Sequence, residues 1–178
     1  MFNGKLVRSR EKILEDIMAK ETMLSYLDTQ LNKKLSEYDI AIDWDTKNHT
    51  IEVMFRLFAE NKTQLSLDDA QGVTSEEEVI EFEDGIIFYD QTKSKLDAED
   101  FLATIAFEGK KGVSKATIHA LVRYLPEILT TGQDDLMDFL ISEEIEVFEL
   151  SFDQEIFDRY VDEESEQAKS TFLPYPSY

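Results

Sequence analysis

Residues 38–60, YDIAIDWDTKNHTIEVMFRLFAE, alternate apolar and polar side chains twice over. Tyr38, Ile40, Ile42 and Trp44 interleave with Asp39, Ala41, Asp43 and Asp45. On the return, Ile51, Val53, Phe55 and Leu57 interleave with Glu52, Met54, Arg56 and Phe58. Period-two alternation marks half-buried strands, and two such runs around a polar loop make a hairpin. A four-residue loop at 46–49 sets Trp44 against Ile51, Ile42 against Val53, Ile40 against Phe55 and Tyr38 against Leu57. All four apolar pairs then share one face. A slip of one residue would turn every one of them to solvent, so the register is well specified. The same count places Asp39 beside Arg56 and Asp43 beside Glu52 on the other face.

Before the hairpin, Leu24, Leu27, Leu31 and Leu35 recur at spacings of three and four, the stripe of an amphipathic helix. This helix is expected to pack against the apolar face of the hairpin. Residues 61–77 are polar and irregular, and their acidic residues do not match the spacing of a calcium loop. A second hairpin is expected at 79–90. Asp84-Gly85 there separates two apolar runs and suits a turn that needs positive φ at both positions. Phe101, Ala103, Ile105 and Phe107 alternate as a further strand. Ser114 caps a helix to Leu125, which Pro126 should kink or end, and a short helix spans 134–140. Residues 145–152 read as another strand and 154–161 as a last helix. Hairpins followed by helices indicate an α+β domain, with an antiparallel sheet built from two hairpins plus further strands. The N-terminal helix and the C-terminal helices pack on it.

Three segments follow from this pattern. Residues 18–161 form a single domain. Residues 162–178 form an acidic tail of low hydrophobicity, expected to be disordered. Residues 1–17 hold four basic residues against three acidic ones and show no helical stripe before Ile13. They read as a non-native or disordered extension, or alternatively as a real helical turn. Met18 opens a natural start, and residues 14–17 could be encoded by a purine-rich ribosome-binding sequence.

Composition narrows function more than it defines it. The formal net charge is −21 and there are no cysteines. Direct binding to nucleic acid or to anionic membranes needs a basic face and is not expected. Thiolate chemistry and disulfides are excluded. The amino terminus lacks the apolar core of a signal peptide, and a cytoplasmic location is expected. Of the two histidines, His49 falls in the hairpin loop and His119 in a helix; no zinc or nucleophile motif joins them. No motif requires a cofactor, and none is expected.

Three clusters are candidates for binding. Asp43 and Asp45 with Glu52 opposite form an acidic group whose repulsion a hard cation such as magnesium or calcium would relieve. Lys110 and Lys111, between Gly109 and Gly112 ahead of a helix, form a basic loop of the kind that binds anions, though without a P-loop pattern. From Asp134 to Glu166 there are fourteen acidic residues against Arg159 alone, a net of −13. If the last helix runs on to Glu166, then Glu155, Asp158, Asp162 and Glu166 form one repulsive ridge.

From Met18 on, the stretches MLSYLDTQL, YDIAIDWDTKNHTIEV, EEEVIEFEDGIIFYD and ATIAFEGKKG resemble a family of small acidic proteins of unknown function from low-GC Gram-positive bacteria. That resemblance implies one cytoplasmic domain with a start near Met18, and assigns no residue a role. The residues themselves favour a non-enzymatic interaction or regulatory module whose acidic surface meets a basic protein. A nucleic-acid mimic is the alternative, and a metal-dependent hydrolase built from Asp and Glu the third reading.

Overall fold

In a computed structural model, Asp39–Asp45 (β1) and Thr50–Glu60 (β2) form the hairpin in the expected register. Trp44 lies opposite Ile51, Ile42 opposite Val53 and Ile40 opposite Phe55. His49 closes the loop at φ 55°. The structure describes residues 21–61, 67–68, 74–75 and 78–177. The expectations for residues 1–17 and for most of the 61–77 loop lie outside them, apart from a two-stranded ribbon of Leu67–Asp68 (β3) and Thr74–Ser75 (β4).

The sheet departs from expectation at Asp84-Gly85. There is no turn: Val79–Asp90 is one twelve-residue strand (β5), paired antiparallel with β2 from Val79 to Tyr89. Among the described residues only His49, Gly109 and Gly112 have positive φ, so neither Asp84 nor Gly85 adopts the conformation a tight hairpin needs. The local turn signal is overridden by β2, whose eleven residues offer pairing from Thr50–Tyr89 to Glu60–Val79. Gly85 has a different use, because a Cβ there would collide with the carboxylate of Glu52. Ala103–Phe107 (β6) then pairs with β5 in parallel. A parallel neighbour requires a crossover, made by residues 91–102. The order is β1-β2-β5-β6, mostly antiparallel.

Ile51, Val53, Phe55 and Leu57 of β2 are buried with the apolar faces of the helices in one core. Met23–Lys34 (α1) buries Met23, Leu27 and Leu31 and begins in a capping box of Thr22 and Ser25. It packs against Lys115–Ile141 (α2), which in turn packs against β2. Ser114 caps α2 as expected, its Oγ accepting from Thr117 N–H at 3.2 Å. Pro126 does not end the helix: α2 runs through it for 27 residues. The missing N–H and the ring clash cost about 3 kcal/mol. Leu121, Val122, Leu125, Ile128 and Leu129 are buried around it, and each such side chain contributes about 1.5–3 kcal/mol on burial. Packing therefore wins, and the separate helix expected at 134–140 is the end of α2.

The expected strand at 145–152 is irregular chain. Its alternation is real, with Leu150 buried and Phe148 and Phe152 half-buried while Val147, Glu149 and Ser151 face solvent. No strand among the described residues pairs with it. Gln154–Asp162 (α3) follows. The segment after it is folded rather than disordered: Glu166–Ser170 forms α4, and Phe172–Leu173 (β8) pairs with Val113–Ser114 (β7). Met23 N–H donates to the Pro174 carbonyl at 2.9 Å, and Tyr175 stacks on Phe107 with ring centroids 5.1 Å apart. The C-terminal segment thus ties α1, α2 and the sheet together.

Candidate functional site

The ridge expected on the last helix breaks at Asp162. α3 ends there with Glu163 as its C-cap, and Ser165 caps α4, so Glu166 belongs to a different helix and lies 3.4 Å from Lys169. Glu155, Asp158 and Asp162 stay exposed on α3, with Asp158 accepting from Gln154. The next two carboxylates are taken up internally. Arg123 donates to Glu163 and Glu164, each at 2.9 Å, and its guanidinium lies 4.8 Å from the Tyr160 ring centre. Glu164 also meets His119 Nδ1 at 2.8 Å, and the other imidazole nitrogen meets the Tyr26 hydroxyl at 2.5 Å.

Sequence gave no warning of this network, because Tyr26 and His119 are 93 positions apart and His119 and Glu164 are 45 apart. It lines up a hydroxyl, an imidazole and a carboxylate, yet its chemistry points to structure. Burial, then Glu21 and Glu164, raise the Tyr26 hydroxyl above its ordinary pKa. That makes its oxygen harder to ionise, the opposite of an activated nucleophile. Both ring nitrogens and both Glu164 oxygens serve to join α1, α2 and the α3–α4 junction.

The two other clusters have local duties. Asp43 does lie opposite Glu52. Asp45, however, turns its Oδ1 to the N–H groups of Lys47 and Asn48 and shapes the hairpin loop. Among the described residues no three carboxylates or imidazoles are placed to hold a metal. Lys110 and Lys111 lie in a 3-10 turn whose own carbonyls accept from Lys111 and Gly112. Lys115 N–H donates to Thr171 and Thr117 N–H to Ser114, so two of the amides at the start of α2 already have acceptors. Lys111 Nζ lies 4.3 Å from the Phe172 ring centre.

The acid that stays unengaged surrounds the end of α2. Residues 134–149 contain Asp134, Asp135, Asp138, Glu143, Glu144, Glu146 and Glu149 and no lysine or arginine. All seven are exposed, and among the described residues none is in an ion pair. Between them stand Met137, Ile141, Ile145 and Val147, exposed at 53%, 79%, 42% and 73%. The buried stripe of α2 passes through Leu129, Gly132, Leu136 and Leu140. Met137 and Ile141 each sit one residue off it, a signal that was available in the sequence.

A family described as protein of unknown function, DUF3013, matches residues 18–177. The chain belongs to the DUF3013 family. The start of that match agrees with the resemblance seen from Met18 onward. A crystal structure of a conserved protein of unknown function from Enterococcus faecalis, a low-GC Gram-positive bacterium, is 47% identical in sequence and superposes with a TM-score of 0.80. The match covers 89% of this chain and 97% of that one. No curated protein matches. Like the described fold, the DUF3013 description names no activity, so the residues of this member must carry the functional argument. Among the described residues no helix is long and apolar enough to cross a membrane.

Proposed function

We propose that this DUF3013 protein is a cytoplasmic, non-enzymatic interaction or regulatory module that binds a basic protein through its acidic surface. The observation that carries this reading is the unequal treatment of its carboxylates. Glu163 and Glu164 are matched by Arg123 and His119, whereas the seven acids of residues 134–149 have no ion-pair partner among the described residues. Grouped like charges raise the local potential and repel one another, and a cationic partner relieves that repulsion while being steered toward it.

The reading is tested by immobilising the full chain and challenging it with lysate at low and high salt. Capture should occur at low salt, fade at high salt and fail when Asp138, Glu143, Glu144 and Glu146 are replaced by Asn or Gln, since exposed charges act within about a Debye length. Absence of capture, or capture indifferent to both changes, overturns it. Displacement of the captured protein by free DNA would favour a nucleic-acid mimic instead.

A further inference from the structure

We propose that β1 pairs along its outer edge with an extended segment of a partner protein in which apolar residues alternate with lysine or arginine. The proposal does not depend on the acids of residues 134–149, and its test separates the two surfaces.

β1 is an outer strand of the four-stranded sheet, with β2 on one side and no strand among the described residues on the other. An edge strand presents a row of backbone N–H and C=O groups to any chain that lies beside it. Antiparallel pairing with β2 engages alternate residues of Asp39–Asp45, so the residues between them aim their backbone groups outward. The seven residues of β1 make that row about 23 Å long, at about 3.3 Å per residue.

The two faces beside this edge differ. On the helix side a groove of about 390 Å³ lies between β1 and the start of α1, lined by Thr22, Leu24, Ser25, Asp28, Ile42 and Trp44. Among the described residues β1 is the only strand that lines it, so the groove borders the edge rather than the middle of the sheet. An added strand would send every second side chain toward Leu24, Ile42 and Trp44, all half-buried, where an apolar residue fits best.

The opposite face of β1 is exposed and acidic, with Asp39, Asp43 and Asp45 in one row. Arg56 stands opposite Asp39 but turns its guanidinium toward β5, to Glu83 at 2.9 Å and Glu81 at 3.2 Å. Asp43 stands opposite Glu52, a like charge. Neither Asp39 nor Asp43 is in an ion pair among the described residues. The remaining side chains of an added strand would stand about 4.5–5.5 Å from this row, and opposite charges at that separation are stabilising.

Period and charge together select the occupant. A second copy paired edge to edge would set its own aspartates beside this row, and like charges across a strand pair are destabilising. A segment with apolar side chains on one face and cations on the other satisfies both faces at once. Strand addition draws affinity from the backbone ladder and specificity from alternate side chains.

The test uses two synthetic peptides of the same valine and lysine composition, about nine residues long, enough to span β1. In one the two residues alternate; in the other the lysines are grouped. Calorimetric titration into the full chain should show one-to-one binding of the alternating peptide, at least about tenfold tighter than the grouped one. That peptide should also slow amide hydrogen exchange at alternate residues of 39–45. Asp39→Asn together with Asp43→Asn should weaken its binding about tenfold or more. Both positions are exposed, and an unchanged melting curve confirms that the variant folds. Replacing Asp138, Glu143, Glu144 and Glu146 by Asn or Gln should leave the protection of β1 in place. Equal binding of the two peptides, or binding without protection of β1, overturns this proposal. If that binding is lost in the Asp138, Glu143, Glu144 and Glu146 variant, the peptide belongs to residues 134–149 and the charge-based reading stands. Outward amides of β1 already slow in the dilute free chain would assign the edge to the chain's own residues and overturn the proposal. Self-association that the double aspartate variant strengthens would assign it to a second copy, with the same result.

Discussion

The indole Nε1 of Trp44 donates to the Tyr175 hydroxyl at 2.8 Å, joining the first hairpin to the C-terminal segment 131 residues later. Tyr175 also meets Trp44 edge-on and lies flat against Phe107. Tyr175→Phe keeps the ring and removes the hydroxyl, and should cost about 1 kcal/mol, the usual net value of such a bond. For a chain of this length that is a fall of about 2–4 °C in Tm. Deleting the chain from residue 172 on also removes buried Leu173 and should cost several kcal/mol. A deletion that melts like the parent would show that the segment contributes no packing.

Pro126→Ala should stabilise the protein. The substitution supplies an N–H within reach of the Val122 carbonyl and removes the ring clash, in a helix already continuous on both sides. The gain should be about 1–3 kcal/mol, the penalty of an interior proline less any local relaxation already achieved. A thermal melt that falls would mean the proline ring itself fills a packed site.

Two glycines should respond to very different degrees. Gly85 lies in a strand without positive φ, and what a Cβ would strike is the far end of the Glu52 side chain, which can swing to solvent. Gly85→Ala should therefore cost less than about 1 kcal/mol, with the reduced chain entropy of alanine offsetting the displacement. A tight Asp-Gly turn would make the same change far more harmful. Gly112 has φ +70° and stands against the backbone carbonyl of Leu173. Gly112→Ala should be strongly destabilising, and denaturant midpoints of the two variants compare them directly.

Glu52 and Asp90 should give opposite pH dependences. Burial raises the Glu52 carboxyl above its ordinary pKa, with Asp43, Glu83 and Asp84 adding to the shift. The native state then binds more protons than the unfolded state between the ordinary and the raised pKa, so stability falls as pH rises through that window. Glu52→Gln should melt higher than the parent at neutral pH, by an amount of about 0.5 kcal/mol, and the gap should close as pH drops below the ordinary carboxylate range.

Asp90 behaves conversely. Burial alone would raise it, but the Thr92 N–H and hydroxyl, together with Lys93, outweigh that and hold it below the ordinary value. Its contribution is present above its unfolded pKa and is lost as pH falls through the folded one. Asp90→Asn should cost about 1 kcal/mol at neutral pH and nothing once the parent carboxyl is protonated. Parallel melts from acid to neutral pH separate the two residues.

Much of the local structure was legible before any coordinates. The pairing of Ile40, Ile42 and Trp44 with Phe55, Val53 and Ile51 follows from period-two alternation about one short loop, where a slip would expose a whole apolar face. The start of α2 at Ser114 and the start of α3 near Gln154 were readable as well, because caps and helical stripes act within a few residues. The candidate site was legible only as charge. The excess of acid after Asp134 is a matter of counting, and the exposure of Met137 and Ile141 could have been drawn from their place beside the α2 stripe.

Sequence alone determined the hairpin register, the α+β class and the acidity, since each depends on neighbours in the chain or on composition. Only the tertiary structure decided that Asp84-Gly85 is strand, that α2 passes through Pro126 and that Tyr175 closes on Trp44. It likewise decided which carboxylates are held by Arg123 and His119 and which stay open around Ile141. In each case the deciding partner lies tens of residues away, and its pairing or burial outweighs a local preference worth at most about 3 kcal/mol.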